Sequence, residues 1–314
     1  GAKFSTRYEA DAVSVSLRSL SAAEHRIPLV ELFAEVTSNP KDLEVMEGAE
    51  HYRRSQCDLV VAVGGGSPMD CGKAIAAVVA NDRDVRCFAG VDQVPLAPPP
   101  VICIPTTAGT AAEISRFAII TDTSNNIKFA IISDAMIPKL ALVAPETTTT
   151  MSSELTATTG IDALVHAIEA YVSTAHSPLT DLYALEAIRL IVSNIRQALV
   201  HPRNMQHREA MMQGSLLAGL AFSNAGLGLV HAMAHSLGGL LDLAHGECNA
   251  LLLERLARQS SEPLASAPHA EGQPEMIGHS PAMARLRHEI DVVASSELNV
   301  LILGETGVGK ELIA

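Results

Sequence analysis

From Ala210 to Leu241 the chain carries no formally charged side chain. That exceeds the roughly 20 apolar residues a membrane-spanning helix needs, so the run is either a span or the buried interior of a sizeable protein. It contains Gln213, Asn224, several serines, many glycines and the pair His231 and His235, and it has neither a basic flank nor an aromatic belt. A buried helical core is the better reading. The whole chain supports it, with 48% hydrophobic and 18% charged residues among 314. That balance suits a compact globular protein long enough for two domains.

The formal charge of -13 offers no broad attraction to nucleic acid or anionic lipid. Expected partners are therefore small molecules or other subunits, a homodimer among them, with no nucleic acid and no membrane. Five cysteines, an odd number with no CxxC pair, fit a reduced cytoplasmic setting. The start, "GAKFSTRYEADAV", shows no apolar signal-peptide core.

The first half reads as α/β. "CDLVVAVGGGSPMDCGKAIAAVVAN" (57–81) is a buried strand over Asp58 to Val63, a glycine turn and a helix with Pro68 in its first turn. "PVICIPTTAGTAAE" (100–113) repeats strand then loop, and "FAIITD" (117–122) and "KFAIIS" (128–133) are short strands around the turn "TSNN". Glycines at a helix start let the backbone approach a pyrophosphate, and Thr106, Thr107 and Thr110 add hydroxyls from the second loop. The GGGS loop by itself is also what any tight turn after a strand uses.

After Pro145 the pattern turns helical. "SSELTATTGIDALVHAIEAYVS" (152–173) opens on a capping-box pattern, with Ser152 or Ser153 ahead of Glu154. Asp162 and His166 stand at i and i+4, as do His231 and His235 further on. Such pairs share a helix face. Asp162, His166, His231 and His245 would make a three-nitrogen, one-oxygen set suited to iron(II), zinc or manganese. A lone buried histidine is more often ordinary core. Two such pairs in charge-poor helices point to a cation, because an ionised aspartate is not buried there without one or without donors.

"GGGSPMDCGKA", "IPTTAGTAAEISRFAIITD", "LTATTGIDALVHAIEAYVS" and "GLGLVHAMAHSLGG" followed by "HGECNALLL" resemble the iron-containing (group III) alcohol dehydrogenases, lactaldehyde and propanediol oxidoreductases among them, from about residue 28 to 254. The resemblance implies a dehydroquinate synthase-like architecture: an α/β Rossmann-like dinucleotide-binding domain over 1–147 and an all-α metal-binding domain over 148–254. It implies iron(II) on Asp162, His166, His231 and His245, and His235 near nicotinamide and substrate as the catalytic histidine. Gly65, Gly66, Ser67 and Asp70 would hold the pyrophosphate of NAD or NADP, Thr106, Thr107 and Thr110 would line its cleft, and Asn39 and Lys128 would contact the nucleotide. The implied reaction interconverts a primary alcohol or diol and its aldehyde by hydride transfer.

The chain departs from the family in three ways. Its first strand loses the apolar run and the ribose-reading aspartate. Ala144 replaces the usual Asp before Pro145, and Ala111 and Ala112 replace Gly-Ser. Near Glu254 the resemblance gives way to a Ser/Pro/Ala-rich linker (255–274), so the fold is expected to be truncated at both ends. Residues 275–314 resemble the start of the AAA+ domain of nitric-oxide-responsive enhancer-binding activators, with Lys310 and Glu311 in the P-loop "GETGVGKE". No Walker B motif comes after it, so ATP hydrolysis is not expected. The alternatives to a working oxidoreductase are a catalytically impaired fusion product and, resting on the tail only, a transcription-regulator module.

Overall fold

The computed structural model describes residues 31–125, 127–241 and 245–261. The N-terminal strand, most of the linker and the P-loop lie outside the described residues. Contacts gather Gly1–Glu254 into one compact unit, and the chain from Arg255 onward into a second.

Within the first unit the α/β part comes first. Helix α1 (Asp42–Arg54) leads to strand β1 (Val60–Gly64) and helix α2 (Gly66–Asn81), then to β2 (Gly90–Val91), β3 (Val101–Pro105), β4 (Phe117–Asp122), β5 (Ile127–Ile132) and β6 (Leu140–Ala141). The described strands form two three-stranded sheets. One is parallel, in the order β1-β3-β6; the other runs β2-β5-β4, with β2 parallel and β4 antiparallel to β5. In the parallel sheet Gly64 lies opposite Pro105, so the loops leaving β1 and β3 emerge side by side. The expected cover on both faces of β1 is incomplete, since Val61 is 39% exposed. The first core joins Val45 and Ala49 of α1 and Ala74 and Val78 of α2 to Ile120 and Ile131.

The helical part contains α3 (Ser153–Val172), α4 (Pro178–Val200), α5 (Met205–Ala225), α6 (Leu229–Leu241) and α7 (His245–Ser261). Ser152 caps α3 through Leu155 N–H. The expected capping box is absent there, because Leu155 and not Glu154 falls at the third helical position. Ser177 does form a box with Thr180, ahead of Pro178 in the first turn of α4. Small residues let α3, α4 and α5 close on one another: Ala163, Ala167, Ala187 and Ala198 pack with Ile191, Met211 and Met212. Helix α7 continues to Ser261, beyond the composition boundary at 255, because "LLLERLARQ" extends the helical pattern.

The charge-free run of 210–241 becomes two helices, α5 and α6. The pair is bent by 98° at the break after Ala225, where Gly226 takes a positive φ of 79°. Among the described residues no single helix is long and apolar enough to cross a membrane. Buried Ala218, Ala221, Phe222 and Ala225 place the α5 half in the protein's own core.

Two family departures acquire a structural setting. Ala111 sits at φ 50°, where glycine is usual, and its methyl is accommodated because position 219 of α5 is glycine. Ala144 is the N-cap of a short 3-10 turn (Pro145–Thr148) and provides no side-chain acceptor.

Candidate metal centre and adjoining cleft

Helix α3 presents Asp162 and His166 on its buried face, and α6 contributes His231 across from them. One donor atom from each of the three lies within 4.8 Å of the others. His231 Nε2 stands 3.6 Å from Asp162 Oδ1, and His166 Nδ1 stands 4.0 Å from Asp162 Oδ2. His245, at the start of α7, brings its Nε2 to 3.6 Å from Asp162 Oδ1. Its side chain is 26% exposed where Asp162 and His231 are almost fully covered, so one side of the cluster opens outward. The rings are held by stacking: His166 lies between Phe222 at 4.4 Å and His231 at 4.3 Å. His235 stacks on His245 at 4.7 Å but lies 6.4 Å from the His231 ring, one step removed from the cluster.

Among the described residues no lysine or arginine forms an ion pair with the Asp162 carboxylate. Burial would push its pKa up, but His166, His245 and His231 around it hold it well below the usual carboxylate range. Burial drives His166 down to about 3, and its buried Nδ1 has no hydrogen-bond partner. A buried anion beside an unpartnered imidazole nitrogen fits a divalent cation. His231 behaves oppositely: burial lowers its pKa, but the Asp162 carboxylate at 3.6 Å and the hydrogen-bonded Glu169 carboxylate raise it to about 9. Burial takes His235 down to about 3, aided by His245, His231 and Lys128.

Two polar residues in this cluster were missed in the sequence. Asn249 of α7 is fully buried; its Nδ2 donates to Asp162 Oδ1 at 2.6 Å and lies 3.3 Å from His231 Nε2. Glu169 touches His231 from the far side, Oε2 lying 2.6 Å from Nδ1. Glu169 stands at i+7 from Asp162, so extending the helical period would have found it. Nothing local marks Asn249.

Gly246 sets how closely α7 meets α3. A Cβ there would run into the Thr158 carbonyl oxygen, which is backbone and cannot step aside. Gly246→Ala should push His245 off Asp162 and weaken Co²⁺ binding at least about 10-fold, the low end for disturbed ligand support. Chelator-competition titration alongside His245→Ala would measure it, and wild-type affinity would show that His245 is not held this way.

The glycine and threonine loops meet at the mouths of β1 and β3. A Cβ at Gly66 would come within 2.9 Å of the Thr110 methyl, and one at Gly65 within 3.3 Å of Thr107. Gly65 caps α2, so Gly66 and Ser67 occupy its first turn, where N–H groups lack helical partners. Thr106 N–H donates to Gly64 O. Ser67 Oγ accepts from Asn39 N–H at 3.3 Å, and Asn39 Oδ1 accepts from Lys128 Nζ at 2.9 Å. Three distant segments thus converge, and Lys128 is close enough to depress the pKa values of His235 and His245. Asp70 differs from its neighbours: its carboxylate turns inward, accepting Ile119 N–H at 3.1 Å and lying 3.5 Å from Lys73 Nζ.

The sequence matches the iron-containing alcohol dehydrogenase description over residues 6–145 and its C-terminal counterpart over 156–285. Choline dehydrogenase of Bacillus subtilis is 36% identical over 293 residues, 90% of this chain and 72% of that protein. The chain belongs to the iron-containing alcohol dehydrogenase family. Within that family, 1,3-propanediol dehydrogenase of Klebsiella pneumoniae is 48% identical over 229 residues, 73% of this chain. The chain spans 59% of the length of that relative. The crystal structure of sulfoacetaldehyde reductase from Bifidobacterium kashiwanohense in complex with NAD+ has a TM-score of 0.75 at 33% identity, covering 85% of this chain and 69% of that one. The family match reaches beyond the 28–254 read from motifs, at both ends. Residues 276–314 match the Sigma-54 interaction domain, overlapping the family match over 276–285.

Proposed function

We propose that the chain carries the cofactor loops and metal centre of an NAD(P)-linked oxidoreductase that interconverts a primary alcohol or diol and its aldehyde. The observation that carries this reading is the buried cluster of Asp162, His166 and His231, with His245 at its open side; Lys128, hydrogen-bonded through Asn39 toward Ser67 of the glycine loop, lies near enough to lower the pKa of His245. Asp162, His166, His231 and His245 would hold iron(II), with zinc or manganese as substitutes. When bound, the ion supplies Lewis acidity toward the alcohol oxygen. The α2 N-terminus with Gly65, Gly66 and Ser67 would bind the pyrophosphate, while Thr106, Thr107 and Thr110 line the cleft. Asn39 and Lys128, already hydrogen-bonded together, would contact the nucleotide. Asp70 would act indirectly, by tying α2 to β4. Bound NAD(P)+ would supply the hydride acceptor, and His235, stacked outside His245, would pass the alcohol's proton outward to solvent through its ring nitrogens. Buried Phe222 and Ala225 of α5 and Val230 and Ala234 of α6 would provide an apolar wall beside the reacting atoms. A homodimer is the proposed assembly.

The test is an anaerobic assay of iron-reconstituted protein, following NAD(P)H absorbance with ethanol, 1,3-propanediol and propane-1,2-diol. Metal-dependent turnover is expected. Stoichiometric metal with no turnover would reject the activity and favour the impaired fusion product. The match over 276–314 favours the regulator as a second reading. It predicts ATP hydrolysis, whereas the oxidoreductase reading expects none.

A further inference from the structure

We propose that Glu169 is a positioning residue of the metal centre: its carboxylate fixes His231 in the tautomer that turns a bare Nε2 toward Asp162, and couples that choice to the start of helix α6. The proposal rests on the reading of His231 as a ligand.

Helix α3 carries Asp162, His166 and Glu169 at i, i+4 and i+7, so one helix face presents two donors and this carboxylate. Glu169 is 5% exposed. Three donors converge on it: Gly228 N–H at 3.0 Å, Val230 N–H at 2.6 Å and His231 Nδ1 at 2.6 Å. Of the two backbone donors, Gly228 lies in the break before α6 and Val230 in its first turn, where N–H groups have no intrahelical partner and the helix end favours negative charge. Gly228 permits the approach, because a Cβ there would lie 2.9 Å from Glu169 Oε1. Held in this way, the carboxylate cannot turn from His231.

The consequence for His231 comes from its donor and acceptor inventory. An ionised carboxylate only accepts, so the hydrogen facing it sits on Nδ1, and neutral His231 then has its lone pair on Nε2. Nε2 is the atom 3.6 Å from Asp162 Oδ1. Carboxylate partners of this kind orient ligating imidazoles and raise their basicity in metal sites generally. A plain helix cap would need only the two backbone contacts.

The experiment compares wild type with Glu169→Gln. The carboxylate uses both oxygens, Oε2 for Gly228 N–H and His231 Nδ1 and Oε1 for Val230 N–H. Glutamine has one acceptor oxygen, so either orientation of its amide sets NH₂ against a backbone N–H at the start of α6 and loosens the hold on His231. Circular dichroism in EDTA checks the fold, and Co²⁺ affinity is read by chelator competition. Glu169→Gln is expected to bind Co²⁺ roughly 10–100-fold more weakly. In wild type, long-range ¹H–¹⁵N spectra of the Zn²⁺-loaded protein should place the His231 proton on Nδ1, as ligation through Nε2 requires. Wild type that binds while Glu169→Gln binds as tightly overturns the proposal alone; a His231 proton on Nε2 in the loaded protein overturns the ligand reading and the proposal together. Wild type that binds no Co²⁺ overturns the ligand-set reading and the proposal with it.

Discussion

Asp162→Asn is expected to abolish stoichiometric metal binding while leaving the helices in place. The carboxylate contributes the only anionic oxygen among the four proposed ligands, and the other three converge on it from α3, α6 and α7. Asparagine keeps the volume and can still accept the Asn249 amide that now donates to Oδ1. It removes the charge that balances a dication in a buried site. The drop in Co²⁺ or iron affinity should exceed the roughly 10–100-fold loss typical of supporting residues. Metal analysis after dialysis, with circular dichroism as a fold check, measures it. A variant that retains one equivalent at wild-type affinity would remove Asp162 from the ligand set.

Lys73→Met is expected to be the most destabilising single change in the α/β part. The ammonium is fully buried on α2, and donates to the carbonyls of Ala112 at 2.9 Å, Ser115 at 3.3 Å and Phe117, with Asp70 at 3.5 Å. Methionine fills the space but leaves three carbonyls without their donor and a buried carboxylate without its cation. Removing one partner of a buried pair costs about 3–5 kcal/mol. For a chain of this size that corresponds to a fall in melting temperature on the order of 10 °C. Ala112 and Ser115 come just after the threonine loop, so the same substitution should weaken NAD(P) binding. A melting curve superimposable on wild type would show that the carbonyls find other donors.

Lys73 also illustrates what local sequence does not announce. It stands seven residues after Gly66 in a mostly apolar helix, and no periodicity says which carbonyls it meets more than thirty residues away. Asp70, three residues earlier, looked like part of the phosphate loop by its place in the motif. Its carboxylate also joins α2 to β4, accepting Ile119 N–H and lying beside Lys73.

Elements and faces were legible because they repeat locally. β4 has the bounds read from alternation, and β1 and β5 differ by one or two residues at their ends. Asp162 and His166 share a face by helical spacing alone, and the glycine and threonine loops begin where the apolar runs of their strands end. The pairing His231 and His235 was read on the same basis, yet only His231 reaches the cluster.

That difference comes from the break at Gly226. Its 98° turn aims the first turn of α6 at α3 and leaves His235 a turn further along, stacked on His245. The chain's local pattern thus specified strands, helices, loops and the residue types able to hold a cation. The packing of distant segments specified which of those residues meet and which carboxylate holds His231. It also placed Asn249 beside Asp162, because hydrogen bonds across 62 and 87 positions leave no trace in a pattern of period 2 or 3.6.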